Sequence, residues 1–135
     1  MAKNADILII DDDRDLVSAM QLVLESRSHR VRTAFNGADG MIEIQAHIPD
    51  LIILDVMMTT DTEGFDLACK LRNQIIHRDI PILMVTSFPQ KMASEGPEKF
   101  QHILGEDWPV TQFMEKPVDT EELLAVVERL LADAI

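Results

Sequence analysis

Apolar residues along this chain come in blocks, and the blocks end against polar clusters. Ile7 to Ile10 is uninterrupted by polar residues and stops at Asp11-Asp12-Asp13. A short run without alternation predicts a strand covered on both faces, here residues 6–10. In residues 14–26 apolar positions recur at Leu16, Val17, Met20, Val23 and Leu24, the spacing of an amphipathic helix. Residues 30–34, with Val31 and Thr33, read as a second strand. Asn36-Gly37 reads as a turn into a helix carrying Ala38, Met41, Ile42 and Ala46, halted near Pro49.

The rhythm then repeats. Leu51 to Leu54 is a second doubly covered strand. A polar loop over residues 59–64 leads into a helix with Phe65, Ala68, Leu71 and Ile75. Residues 81–85 form the fourth strand and residues 111–114 the fifth. Asp119, with Glu122 three positions on, makes a capping-box-like start to a last helix that buries Leu123, Leu124, Val127, Leu130 and Leu131. Residues 88–109 break the rhythm, and only a helix around residues 97–104 is suggested there. Strands alternating with helices predict an α/β fold, a parallel sheet with helices on both faces. Right-handed crossovers then bring ligands to the carboxyl ends of the strands.

Size and charge narrow the function. A chain of 135 residues is long enough for one three-layer core, so residues 1–135 are expected to form a single domain. No apolar run approaches the roughly 20 residues of a membrane span, and the start has no signal-peptide core. A cytoplasmic location is the expectation. Cys69 is the one cysteine, which excludes an internal disulfide, and it falls in a helical packing pattern. The formal net charge of −12 argues against direct binding to nucleic acid. His29, His47, His77 and His102 have no metal-ligand spacing and read as surface or boundary residues.

The chemistry lies where the strands end. Strand one ends in Asp11-Asp12, strand three in Asp55, strand four in Thr86-Ser87 and strand five in Lys116. In a parallel sheet these ends share one edge. Carboxylates about 4 Å apart repel by roughly 4 kcal/mol per pair at an effective dielectric near 20, so such a cluster calls for a cation. Oxygen ligands suit Mg²⁺, and an aspartate so placed can act as a nucleophile toward a phosphoryl group. Taken singly, each residue has an ordinary explanation: an aspartate caps a helix, Thr86 ends a strand, Lys116 is a solvated charge, Phe113 is core. Those explanations would have to coincide at four strand ends.

Four segments carry a family resemblance: Ile7-Leu-Ile-Ile-Asp-Asp-Asp, Pro49-Asp-Leu-Ile-Ile-Leu-Asp-Val-Met-Met, Pro81-Ile-Leu-Met-Val-Thr-Ser and Glu115-Lys-Pro. In this order and at these strands they resemble the signatures of response-regulator receiver domains of two-component signalling. The resemblance implies a flavodoxin-like, doubly wound sheet of strand order 2-1-3-4-5. It implies Asp55 as phospho-acceptor, with Mg²⁺ held by Asp12 and Asp55, by Asp11 partly through water, and by the Met57 carbonyl. It further implies Thr86 as the hydroxyl that turns toward the phosphoryl group and Lys116 as its cationic partner. Phe113 becomes the aromatic switch, and Lys116-Pro117 a cis peptide.

The implied activity is that of a phosphoryl-accepting switch, not an enzyme with turnover. A sensor histidine kinase or phosphotransfer protein would supply the phosphoryl group. The face formed by the fourth helix, the fifth strand and the last helix would signal to a partner protein. No output domain, nucleic acid or membrane is implied, and the chain would be a monomer or a phosphorylation-dependent dimer.

Several positions depart from the family pattern. Thr59 stands where a proline is usual, four residues after Asp55, and the glycine usual eight residues on arrives one late, as Gly64. Thr86 and Lys116 lie unusually far apart, with Gly105-Glu-Asp-Trp-Pro in place of the familiar Gly-Ala stretch. Met57 and Phe88 flank the path of an attacking water and cannot orient it, which predicts slow self-dephosphorylation.

Three other readings bear on function. A haloacid-dehalogenase-type phosphatase needs a second aspartate where Met57 stands. A nucleotide or flavin carrier needs a Gly-rich loop after strand one, where the acidic triplet stands. A degenerate receiver acting only as a protein-interaction module draws support from the long 88–109 segment, and intact Asp55, Thr86 and Lys116 argue against it.

Overall fold

The computed structural model describes residues 4–55, 63–86 and 111–133. Among these, β1 (Asp6–Ile10), β2 (Arg30–Ala34), β3 (Leu51–Leu54), β4 (Ile82–Thr86) and β5 (Gln112–Glu115) form one parallel sheet. Its strand order is β2-β1-β3-β4-β5. The described helices are α1 (Arg14–Glu25), α2 (Gly37–Ala46), α3 (Glu63–Arg72) and, at the C-terminal end, α4 (Thr120–Asp133). Met57, Phe88, His102 and the helix anticipated near residues 97–104 lie outside the described residues.

Successive strand residues supply two separate cores, which is why β1 and β3 are apolar throughout. Leu8, Ile10, Ile52, Leu54, Ile82 and Met84 face Met41, Ile44, Leu67, Ala68 and Leu71 of α2 and α3. Ile7, Ile9, Leu51, Ile53, Leu83 and Val85 face Val17, Met20 and Leu24 of α1 and Leu123, Val127 and Leu130 of α4. Each fully buried Leu or Ile contributes roughly 1.5–3 kcal/mol of transfer free energy. The core therefore holds the strand ends in fixed register.

Helix starts follow local chemistry. Asp13 caps α1 by accepting from the Leu16 N–H at 3.1 Å, and Asn36 caps α2 by accepting from the Asp39 N–H at 2.8 Å. Asp119 Oδ1 accepts from the Glu121 and Glu122 N–H groups at 2.9 and 3.4 Å.

Some local expectations fail. The inward stripe of α2 is Gly37, Gly40, Met41 and Ile44, whereas Ala38 and Ala46 are exposed and Ile42 is 61% exposed. Gly40 is there because the helix lies directly on β1: a Cβ would sit 2.5 Å from Ile10 Cδ1. Helix α3 ends at Arg72, short of Ile75, which is 80% exposed. The Arg72 guanidinium donates to the Arg78 and Ile80 carbonyls, both at 2.8 Å, and folds the connection back. β4 and β5 each begin one residue later than expected. His29 and His77 are buried. His29 Nδ1 accepts from the Ala5 N–H at 3.1 Å, tying the α1–β2 turn to the start of β1.

Candidate phosphoryl-acceptor and metal site

The register lines up the ends of β1, β3 and β4, since Ile10 pairs with Leu54 and Leu54 with Met84. Asp11 and Asp55 are the residues immediately after β1 and β3. Their backbone N–H groups continue the ladder, Asp11 donating to the Ala34 carbonyl at 3.1 Å and Asp55 to the Ile10 carbonyl at 2.9 Å. These bonds fix where the two carboxylates start. Thr86 ends β4 in register with Glu115, the residue before Lys116.

Asp11, Asp12 and Asp55 each present a carboxylate oxygen within 4.8 Å of the others. Asp11 and Asp55 are buried and Asp12 is exposed, so the cluster opens to solvent on one side. Lys116 reaches in from the end of β5, its Nζ 3.1 Å from Asp11 Oδ2 and 3.3 Å from Asp55 Oδ2. Asp11 Oδ1 accepts from the Asp13 N–H at 2.9 Å. The Lys116–Pro117 peptide is cis.

The electrostatics follow from burial against charge. Burial pushes the Asp11 carboxyl up from its ordinary range, against the opposing pull of the Asp13 N–H and Lys116, with Asp12 adding repulsion. For Lys116 burial works against the charged form, but Asp55 and Asp11 together outweigh it and hold the ammonium above its ordinary range. Lys116 is thus a fixed cation in the pocket.

The residues fit a hard cation. Asp11 Oδ2 is buried and, although ion-paired to Lys116, has no hydrogen-bond partner among the described residues. A lone pair is therefore left over, inside a set of three carboxylates that one ammonium does not neutralise. Three carboxylates with solvent access on one side suit Mg²⁺, which keeps several waters. Asp11, Asp12 and Asp55 are the described groups that could hold it.

Of the other predicted site residues, Phe113 lies on β5 level with Met84 and is 43% exposed, turned away from the core into which neighbouring Met114 is buried. Two features of the site's surroundings were not anticipated. Glu63 Oε2 accepts from the Gly37 N–H at 2.5 Å, and Arg14 stacks 4.0 Å from the centroid of Phe35 beside the acidic triplet. Both join residues far apart in sequence, and no local pattern signals either.

The family model described as response regulator receiver domain matches residues 7–128. Response regulator ArlR of Staphylococcus aureus is 30% identical over 125 residues, covering 93% of this chain and 52% of its own length. The chain thus spans about half the length of the curated relatives it matches. Among solved structures, the signal receiver domain of a histidine kinase from Syntrophus aciditrophicus superposes with a TM-score of 0.81 at 26% identity, covering 96% of this chain and 91% of that one. Chemotaxis response regulator CheY4 of Vibrio cholerae gives 0.76 at 29% identity, covering 95% and 99%. With its sheet order, its acidic strand ends and its match from Ile7 onward, this chain belongs to the response regulator receiver domain family.

Proposed function

We propose that this chain is a phosphoryl-accepting signalling switch in which Asp55 takes the phosphoryl group. The observation that carries the reading is the meeting of Asp11, Asp12 and Asp55 at one sheet edge with Lys116 ion-paired to two of them. A carboxylate oxygen of Asp55 attacks phosphorus of a phosphohistidine or small acyl phosphate. The bond from phosphorus to the donor breaks, its electron pair leaves with the donor, and an aspartyl phosphate remains. Lys116 stabilises charge on the transferring oxygens. Mg²⁺, held by Asp11, Asp12, Asp55 and the Met57 carbonyl, supplies further charge neutralisation when bound.

The new charge of roughly −1.5 to −2 draws Thr86 inward, and Phe113 follows into the space Thr86 leaves. The face around β5 and α4 changes and is read by a partner protein. The donor is a histidine kinase or phosphotransfer protein, the setting is cytoplasmic, and the role is regulatory without turnover of a substrate. Residues 1–135 form one receiver domain, acting as a monomer or a phosphorylation-dependent dimer. The domain engages neither nucleic acid nor membrane, and among the described residues no helix is long and apolar enough to cross a membrane.

A second reading, a receiver that binds partners without phosphorylation, is favoured by the long separation of Thr86 from Lys116. Incubation with Mg²⁺ and acetyl phosphate, followed by intact mass, separates the two. The switch gains one phosphoryl group that Asp55→Asn abolishes; a wild type that stays unmodified selects the second reading.

A further inference from the structure

We infer that Glu63 is a positioning residue for the acidic pocket: by tying the first residue of α3 to the first residue of α2, it fixes the far end of the segment that follows Asp55. The inference rests on the reading of Asp55, Met57 and Mg²⁺ given above.

The contact is specific in its chemistry. Gly37 opens α2, and its N–H is one of the first-turn amides with no partner inside the helix. The capping side chain of Asn36 serves the Asp39 N–H. A carboxylate 26 residues away supplies the acceptor for Gly37, in a partly buried, charge-assisted bond of 2.5 Å. Glu63 is also the first residue of α3, so the positive ends of two helix dipoles act on one carboxylate. The partner must be glycine. A Cβ on residue 37 would lie 3.2 Å from both Glu63 Cγ and Oε2, too tight for the carboxylate to keep its place. Gly37 thus serves a close approach, where the sequence alone suggested a turn.

Position matters as much as strength. Glu63 stands eight residues after Asp55, where the family pattern usually has its glycine. At the near end of the same segment the Asp55 N–H is fixed to the Ile10 carbonyl. Met57, the proposed carbonyl ligand, lies between these two anchored points in sequence. A chain segment anchored at both ends has fewer conformations to lose when one of its carbonyls is drawn to a cation. Glu63 therefore acts on ion binding through the segment, touching neither the ion nor the phosphoryl group.

Four full-chain variants test this: Glu63→Ala, Glu63→Gln, Gly37→Ala, and Gly37→Ala combined with Glu63→Ala. Each is titrated with Mg²⁺ by amide NMR, unfolded in urea, and phosphorylated with acetyl phosphate. Glu63→Ala is expected to raise the Mg²⁺ concentration for half-saturation about fivefold, the equivalent of one net hydrogen bond. Glu63→Gln keeps an acceptor oxygen and stays within about twofold of wild type. Gly37→Ala raises half-saturation as Glu63→Ala does, yet its urea midpoint holds or rises because alanine favours a helix. The double variant is no worse than either single one, since both remove the same contact.

Unchanged half-saturation in Glu63→Ala with a lowered urea midpoint would make the contact merely structural and overturn the inference. So would effects of the two single substitutions that multiply. Should Glu63→Ala fail to fold, Gly37→Ala decides on the same criterion. A wild type that binds Mg²⁺ but takes no phosphoryl group on Asp55 sinks the function reading alone, leaving Glu63 to the titration. A wild type that binds no Mg²⁺ overturns both.

Discussion

Replacing Lys116 by methionine removes the cation from the pocket while keeping the length of the side chain, and its cost can be worked from the geometry. Nζ lies 3.1 and 3.3 Å from oxygens of Asp11 and Asp55, each contact corresponding to roughly 5 kcal/mol of gross attraction at an effective dielectric near 20. Desolvation of a largely buried ammonium offsets much of that gain. Removing one partner from a buried pair typically costs about 3–5 kcal/mol, because the remaining charge is left without compensation. An escape route sets the ceiling. Protonating one carboxylate of ordinary pKa 3.8 at pH 7.5 costs about 5 kcal/mol, at roughly 1.36 kcal/mol per pH unit. We therefore expect Lys116→Met to lose about 3–4 kcal/mol of unfolding free energy in urea at pH 7.5 with EDTA. The loss should shrink toward pH 5, as the carboxylates take up protons. It should also shrink at saturating Mg²⁺, which replaces the missing charge. A loss under about 1 kcal/mol in EDTA, or one indifferent to both pH and Mg²⁺, would falsify the claim that Lys116 is the pocket's resident counter-charge.

Three further outcomes follow from the same structure. Gly40→Ala should destabilise the fold by about 1–3 kcal/mol in urea despite the better helix propensity of alanine, because the new Cβ meets the rigid, fully buried Ile10 side chain at 2.5 Å; a neutral result would mean that α2 can lift off β1. Burial lowers the His29 pKa, so the unfolded chain binds the proton more readily. His29 therefore contributes stability that is present above its unfolded pKa near 6.5 and falls by up to about 1.4 kcal/mol per pH unit as pH drops below that value. Urea midpoints at pH 5–7.5 should show this slope in wild type and lose it in His29→Gln. Finally, with Met57 and Phe88 unable to orient a water, the Mg²⁺-bound phosphoprotein should persist for minutes or longer in a quench-flow or mass assay; a half-life of seconds would refute that assignment.

Much of the site was readable because its residues sit at punctuation points. A strand buried on both faces must be apolar throughout, so Ile7 to Ile10 and Leu51 to Leu54 announce themselves, and the first polar residue after each marks the strand end. Asp11, Asp12, Asp55 and Lys116 were found that way. The inward face of α2 was not. Ala38, Ile42 and Ala46 are apolar yet exposed, while the buried stripe includes two glycines that no hydrophobicity pattern would choose. Ile75 matched the α3 period by accident, and the histidines at positions 29 and 77 gave no sign of their burial.

The sequence by itself determined the alternation of strands and helices and the family. It also placed the charged residues at the strand ends, since periodicity and burial on two faces are local constraints written into neighbouring residues. Only the tertiary structure decided which oxygens Lys116 touches and that Asp11 keeps a buried oxygen without a hydrogen bond. It alone put Glu63 on the Gly37 amide. Those facts depend on distances between residues 26 to 105 positions apart, and such distances are set by the packing of the whole sheet and its helices, not by any short stretch of chain.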